Sequence, residues 1–389
     1  MTSYYLLGGV TLLLLLLGLV MVLSSSTIAS IREHGSPYAV FLDQAKFALI
    51  GVPVLAAASR LPLTFYKRAA WPVLLLAMAT QLLIFTPLAR GRGGNVNWIY
   101  LPGVNQAVQP SEFLKVALVM WLAVVLAAKR PLLRDPRHVL VPAVLVAGAG
   151  LAVVLYGHDL GTALILIALV AGALYAAGVP IWMFTIAGIA AGAGVAALTL
   201  TSANRTARIQ AFLGIGEVDP QGAGFQTLHG LWGLGTGGIS GVGLGASREK
   251  WLYLPEAHND FIFAIIGEEL GLLGTLLVLV LFAALAVGFS RVIRRHPDPF
   301  VQIATAAAGA WILTQALVNI GVVIGMLPVI GVPLPLLSAG GSALTTTLAV
   351  LGMVLAFARS EPGAADALAA RRGALRRSLA VVARRGPHG

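Results

Sequence analysis

The sequence contains no cysteine. That excludes a disulfide framework, a thiol nucleophile and any cysteine-ligated metal site. Charge is scarce as well. Only 11% of the 389 residues are Asp, Glu, Lys or Arg, against about 25% in a soluble domain, so a charge-covered soluble globule is excluded. Acidic residues number only 15, which makes each one worth locating. The glycine-rich run from Gly233 to Gly245 lacks the preceding strand, the following helix and the Gly-Lys-Ser/Thr that nucleotide-binding loops need. It reads as tight backbone turns whose N–H groups could face a phosphate. Met1 to Leu23 carries neither a basic leader nor an Ala-x-Ala cleavage site, so it reads as a retained first helix. No internal repeat and no soluble domain is visible.

What is present is apolar. Hydrophobic residues make up 58% of the chain, and the mean hydropathy is +0.89. About 20 apolar residues cross a bilayer. That ruler predicts an all-α polytopic membrane protein of about ten transmembrane helices, near 4–23, 43–59, 69–87, 111–128, 139–156, 160–177, 180–200, 260–288, 300–325 and 342–358. An even count puts both termini on one side. Lys and Arg concentrate between alternate spans: Arg60, Lys67 and Arg68, then Lys129, Arg130, Arg134 and Arg137, then Arg291, Arg294 and Arg295, then the tail. Short cytoplasmic loops carry that bias, so both termini are expected in the cytoplasm. The formal charge of +11 is explained by the same bias and not by nucleic acid. The expected organisation is a ten-helix membrane domain, 1–358, and an Arg-rich cytoplasmic tail, 359–389. A large extracytoplasmic loop, 201–259, separates the seventh and eighth spans.

The chemistry is expected in Lys250-Trp-Leu-Tyr-Leu-Pro-Glu-Ala-His-Asn-Asp-Phe-Ile-Phe263, which packs Glu256, His258 and Asp260 into five residues at the mouth of a membrane helix. Asp260 could cap that helix or do chemistry, and spacing leaves both open. Elsewhere, ionisable residues inside spans are functional candidates by default. Glu112 and Lys115 share a helix face and could pair locally or meet substrate. His158 and Asp159 join the fifth and sixth spans, where Asp159 could cap the sixth helix or line a site. Glu268 and Glu269, two turns inside the eighth span, read as structural. Asp260, Ala264, Gly267, Gly271 and Gly274 form one helical stripe of small residues that a neighbouring helix or a polyprenyl chain could approach, and Gly188 with Gly192 reads as a helix-packing pair. The expected outer face thus combines carboxylates with cations, Arg90, Arg92, Arg205, Arg208, Arg248 and Lys250. Carboxylates accept protons from hydroxyls, and Arg and Lys hold diphosphates. A substrate with a sugar hydroxyl and a lipid diphosphate would use both.

At these residues the sequence resembles the SEDS family, the FtsW and RodA peptidoglycan polymerases. The similar blocks are Asn97-Trp-Ile-Tyr-Leu with Gln109-Pro-Ser-Glu-Phe-Leu-Lys115; Arg208-Ile-Gln-Ala-Phe-Leu with Asp219-Pro-Gln-Gly-Ala-Gly-Phe-Gln226; Tyr253 to Gly271; and Gly331-Val-Pro-Leu-Pro-Leu-Leu-Ser-Ala-Gly-Gly-Ser342. They span nearly the whole chain in order. The resemblance implies an FtsW-like glycosyltransferase in the cell membrane, joining lipid II units into glycan strands on the outer face for cell division or cell shape. The acceptor hydroxyl attacks the donor's anomeric carbon with inversion, and undecaprenyl diphosphate leaves. It puts the essential aspartate at Asp260 as general base. It also implies substrate contacts at Glu112, Lys115, Asp159, Trp98, Arg208, Lys250, Glu256, His258 and Ser338. Arg208 and Lys250 are the diphosphate candidates. The implied partners are lipid II, the growing strand, a class B penicillin-binding protein and other divisome or elongasome membrane proteins. A divalent cation, Mg2+ or Mn2+, could assist beside Asp260, although the sequence shows no ligand set for it. The chain departs from the family at Gly157-His158, where Gln-Pro is usual, at Leu252, where an acidic residue is frequent, and at Asn97, where Arg often precedes Trp98. Two rival readings are a lipid II transporter, which would use the same outer carboxylates for gating, and a non-catalytic scaffold, which would not need them.

Overall fold

The computed structural model describes residues 2–92, 95–101, 106–200, 203–213, 224–251 and 253–363. Within a bilayer the backbone has no water to bond, so apolar runs close their hydrogen bonds inside helices. The elements in order are α1 (Thr2–His34), α2 (Ala39–Ala58), α3 (Leu63–Leu82), strands β1 (Ala89–Arg92), β2 (Asn95–Leu101) and β3 (Gln106–Val108), α4 (Pro110–Lys129), α5 (Pro136–Val139), α6 (Leu145–Tyr156), α7 (Leu160–Ala177), α8 (Ile181–Leu200), α9 (Ala203–Leu213), α10 (Phe225–Gly237), α11 (Ile262–Arg295), α12 (Pro299–Val323) and α13 (Gly341–Arg359). Among the described residues, nine segments are long and apolar enough to cross a membrane, with α5 and α6 together forming one of them; α8 is a further apolar helix over Ile181–Ala197. The chain is a multi-pass helical membrane protein.

The most enclosed helices are α4, α12 and α13. Around them α2 packs on α13, α7 on α12, α3 on α4 and α1 on α11. Small residues set the close approaches, as expected where lipid supplies no hydrophobic drive between helices. A Cβ on Gly172 of α7 would lie 2.4 Å from the Cβ of Ala310 on α12.

Four sequence expectations are corrected. Helix α1 runs past Leu23 to His34. The ruler stopped at the serines, but Ser25, Ser26 and Ser30 are buried within the bundle, and Thr27 Oγ1 donates to Leu23 O inside the helix. The outer segment before α4 is not plain loop but adds a small sheet to the helical fold: β1, β2 and β3 pair antiparallel in the order β1-β2-β3, and β2 carries the β-branched and aromatic Val96, Trp98, Ile99 and Tyr100 that suit a strand. The pair Gly188 and Gly192 packs on nothing, since an added Cβ at either meets no atom within 4 Å among the described residues. Finally, α11 is not one continuous helix. It breaks at Gly271, with φ 67° and ψ −162°, a region that essentially only glycine occupies.

The break ends the small-residue stripe, and the chain itself covers it. Val242 N donates to Glu268 O at 2.9 Å, Gly243 N to Glu269 O at 3.0 Å, and Leu272 N to Gly238 O at 2.9 Å. The glycine-rich run is therefore the partner of the broken helix, with the Val242 and Gly243 N–H groups committed to helix carbonyls and the Gly238 carbonyl accepting from the helix. Gly271→Ala is expected to lower the thermal midpoint in detergent. The strained φ alone costs about 1–3 kcal/mol, and the new Cβ would meet Gly241 N at 2.3 Å and Ile239 O at 2.4 Å. Gly188→Ala, whose methyl enters open space, is the control that leaves the midpoint in place.

Candidate active site

Asp260 sits in the turn before α11, two residues ahead of Ile262. The N-cap position of that helix is Phe261, so Asp260 lies one residue before it. The turn is shaped by Glu256, which has φ 56° and whose carbonyl accepts Asn259 N at 3.0 Å and Phe261 N at 3.2 Å. Glu256 Oε2 also accepts Asn259 Nδ2 at 3.3 Å. The Asp260 carboxylate is half-buried and turns toward the loop between α12 and α13: a Cβ on Gly331 would lie 3.5 Å from Asp260 Oδ2. Gly331 has φ +75°, so a side chain there would be strained as well as close to the carboxylate.

That last loop is bound to the Asp260 turn at several points. Ser338 Oγ donates to Asn259 O at 2.6 Å and accepts Leu334 N at 2.7 Å, and Ala339 N donates to His258 O at 2.9 Å. Gln44 of α2 closes the far side, donating to Ser338 O at 3.1 Å and accepting Gly340 N at 3.0 Å. Beneath the loop, Gln315 Nε2 of α12 donates to Pro333 O at 2.8 Å. One turn along, Asn319 Nδ2 donates to both Val332 O and Asp260 O at 2.7 Å. His158, Glu256 and Leu336 are the non-glycine residues with positive φ among those described. All three stand in the loops that meet here, and strained backbone tends to collect at functional sites.

Glu112 and Lys115 form a buried pair, Nζ to Oε1 at 2.8 Å, with side chains 4% and 2% exposed. Lys115 Nζ also donates to Gln315 Oε1 at 3.3 Å and lies 4.5 Å from the centre of the Trp311 ring. Thr346 Oγ1 donates to Glu112 Oε2 at 3.2 Å. The pair therefore supports the loop through Gln315 and is sealed beneath it. Asp159 is equally enclosed, being 5% exposed. It caps α7 by accepting Thr162 N at 2.9 Å, and its Oδ2 accepts Asn97 Nδ2 at 2.7 Å, Gln109 Nε2 at 3.0 Å and Thr162 Oγ1 at 2.7 Å. That knot ties the sheet to α7, whose Gly161 lies against Ile330 and Val332. Trp98 stands opposite Arg90 on the outer strand pair.

Lys250 belongs to a second buried cluster, at the break in α11. Its ammonium donates to Gly245 O at 2.6 Å and to Glu269 Oε1 at 3.0 Å, with Ser24 Oγ at 3.4 Å. Ser24 donates to both Glu269 oxygens, and Glu268 accepts Ser247 Oγ and Arg248 N. Lys250 is a counter-ion holding its own loop, which corrects the expectation that its ammonium faces a diphosphate. Arg248, beside it, is exposed. Arg208 is carried on α9, and its side chain, like those of Arg92 and Arg205, lies outside the described residues. So does the tail from residue 364, and Leu252. Among the described residues no three His, Asp or Glu side chains gather as a group that could hold a metal ion.

Sequence reasoning missed Gln44, Gln315 and Asn319. The available signal was two carboxamides four residues apart, hence on one face, within the apolar run of α12.

Residues 5–362 match the model of the FtsW/RodA/SpoVE family, described as cell cycle protein. The chain belongs to this family. It is similar to the probable peptidoglycan glycosyltransferase FtsW of Halorhodospira halophila, 41% identical over 87% of this chain and 86% of that one. It is 39% identical to the protein of the same name from Mycobacterium tuberculosis, over 96% of this chain and 71% of that one. The stage V sporulation protein E of Bacillus subtilis is 35% identical over 90% and 95%. Among solved structures, a peptidoglycan synthase complex described as coordinating polymerization and crosslinking superposes with TM-score 0.74 at 25% identity, over 92% of this chain and 98% of that one. The rod shape-determining protein RodA of Thermus thermophilus shares the fold, with TM-score 0.66 at 23% identity over 92% and 97%.

Proposed function

We propose that the chain is a peptidoglycan glycosyltransferase that polymerises lipid II, with Asp260 as its general base. The observation that carries this reading is the placement of Asp260: a half-buried residue in a turn whose backbone is pinned by Asn319 and Ser338, with its carboxylate beside Gly331, in a family whose relatives bear that activity in their names. Asp260 accepts the proton of the acceptor's sugar hydroxyl as the oxygen attacks the donor's anomeric carbon. The C–O bond to the diphosphate breaks, configuration inverts, and undecaprenyl diphosphate leaves with the electron pair. General base catalysis of this kind contributes typically 10²–10⁴-fold. Arg248 and Arg208 are the candidates for the leaving diphosphate, which guanidinium groups bind well.

The lipid tail has a candidate seat. An apolar cavity of about 340 Å³ opens between α6, α7 and α8, lined by Leu151, Leu155, Leu160, Ala163, Phe184 and Ala187 among others. Leu160 lines it while the next residue, Gly161, touches the loop that carries Gly331. One residue therefore separates an apolar groove from the catalytic loop. The basic loops at the opposite end of the bundle support an extracytoplasmic site. The similarity to a complex described as coordinating polymerization and crosslinking supports a transpeptidase partner of the class B penicillin-binding type.

The test is labelled lipid II incubated with the purified protein and such a partner. Glycan polymers support the reading. The break in α11 favours one alternative, a lipid II transporter, because transporters use discontinuous helices. Movement of labelled lipid II across vesicles without any polymer would establish that alternative.

A further inference from the structure

We propose that Asn319 is a positioning residue for the reaction, fixing the general base through its backbone. The inference rests on the assignment of Asp260 as base. Asn319 lies on α12 and is 2% exposed. Its Nδ2 donates to Asp260 O and to Val332 O, both at 2.7 Å. Both contacts are to carbonyl oxygens, so the donating end of the amide is fixed by chemistry. One NH2 group thus joins three elements: the helix, the turn bearing the base and the loop whose Gly331 flanks the base's carboxylate.

The other end of the amide sharpens the argument. Asn319 Oδ1 is buried without a hydrogen-bond partner among the described residues. Buried polar atoms are nearly always paired, and an exception calls for a reason. Packing alone is no such reason, because an apolar residue of similar size would fill the space without orphaning an oxygen. The arrangement makes sense if the two protons of Nδ2 are what the position requires. Gln315 is an internal control. It lies one turn away, donates from Nε2 to Pro333 O at 2.8 Å and accepts Lys115 Nζ and Trp311 Nε1 at Oε1, so it holds the loop by one bond, and none of these bonds reaches the Asp260 turn.

The experiment measures polymerisation of labelled lipid II by the protein with its transpeptidase partner, comparing Asn319→Ala, Gln315→Ala and Asn319→Asp, with thermal midpoints taken in parallel. Misplacing a catalytic group by about 1 Å can cost about 10²-fold. Asn319→Ala is expected to lower kcat by roughly that factor with KM for lipid II little changed, and Gln315→Ala to lower it several-fold less even where its midpoint falls, because it also deprives Lys115 and Trp311 of an acceptor. A kcat loss for Asn319→Ala no larger than for Gln315→Ala, or a loss confined to KM, overturns the proposal. Asn319→Asp keeps the shape and decides the matter if the alanine variant fails to fold. Its carboxylate repels the two carbonyls, whereas its protonated form donates to one of them. Activity relative to wild type is expected to rise as pH falls, and a constant ratio across pH overturns the proposal. Asp260→Asn is run beside these. If that variant is fully active, the base assignment itself has failed. If it is inactive while Asn319→Ala matches Gln315→Ala, only the positioning role has failed.

Discussion

Asp260→Asn is expected to lower polymerisation of lipid II by about 10²–10⁴-fold, the range associated with a lost general base, while the fold and the affinity for lipid II stay close to wild type. The structure explains why the turn should survive this substitution. The bonds that hold the turn reach the backbone, from Asn319 Nδ2 to Asp260 O and from Ser338 Oγ to Asn259 O. Exchanging a carboxylate for a carboxamide leaves these backbone contacts in place and takes away the negative charge and with it the capacity to act as a base. The loss should therefore appear in kcat with little change in KM, the pattern of an interaction made in the transition state. Asp260→Ala should match it, because size at this position is not the requirement. An Asp260→Asn enzyme that polymerises at the wild-type rate would remove Asp260 from the role of base and return it to shaping the turn.

Much of this site could be read from residue types and spacing, and the parts that could not share a physical reason. Glu112 and Lys115 are three residues apart in a helix, so their pairing follows from geometry. Asp159 before Leu160 announces a helix start, and the side chain caps it. The spans were legible because a bilayer demands runs of apolar residues. Local periodicity, by contrast, says nothing of partners distant in the chain. Glu268 and Glu269 looked like charges inside a span. Their acceptor roles for Ser247, Arg248, Lys250 and Ser24 depend on the break at Gly271, and a glycine in a stripe of small residues reads equally well as packing. Lys250 looked available for a diphosphate because nothing in its neighbourhood reveals that Glu269 reaches back to it. Asn319 escaped notice because two carboxamides on one face of an apolar helix, Gln315 and Asn319, mark a polar seam but not which loops it will meet.

Lys115→Met is expected to be the most destabilising of the substitutions near the site. It removes the ammonium that lies 2.8 Å from Glu112 Oε1 in a place where both side chains are almost wholly enclosed. Thr346 Oγ1, at 3.2 Å from Glu112 Oε2, then remains as a neutral donor facing a stranded carboxylate. Breaking a buried pair from one side costs about 3–5 kcal/mol, whereas replacing both partners by groups that carry no charge is often nearly neutral. The double variant Glu112→Gln with Lys115→Met should therefore regain most of the thermal stability that Lys115→Met loses in detergent. Turnover should follow stability through the series, because the pair acts on the site by holding Gln315, which in turn holds Pro333 O. A different pattern would mean direct contact with lipid II: a Lys115→Met protein with an unchanged midpoint and a collapsed kcat. That result would show that the loop above Lys115 opens during the reaction and that the ammonium serves the substrate as well as Glu112.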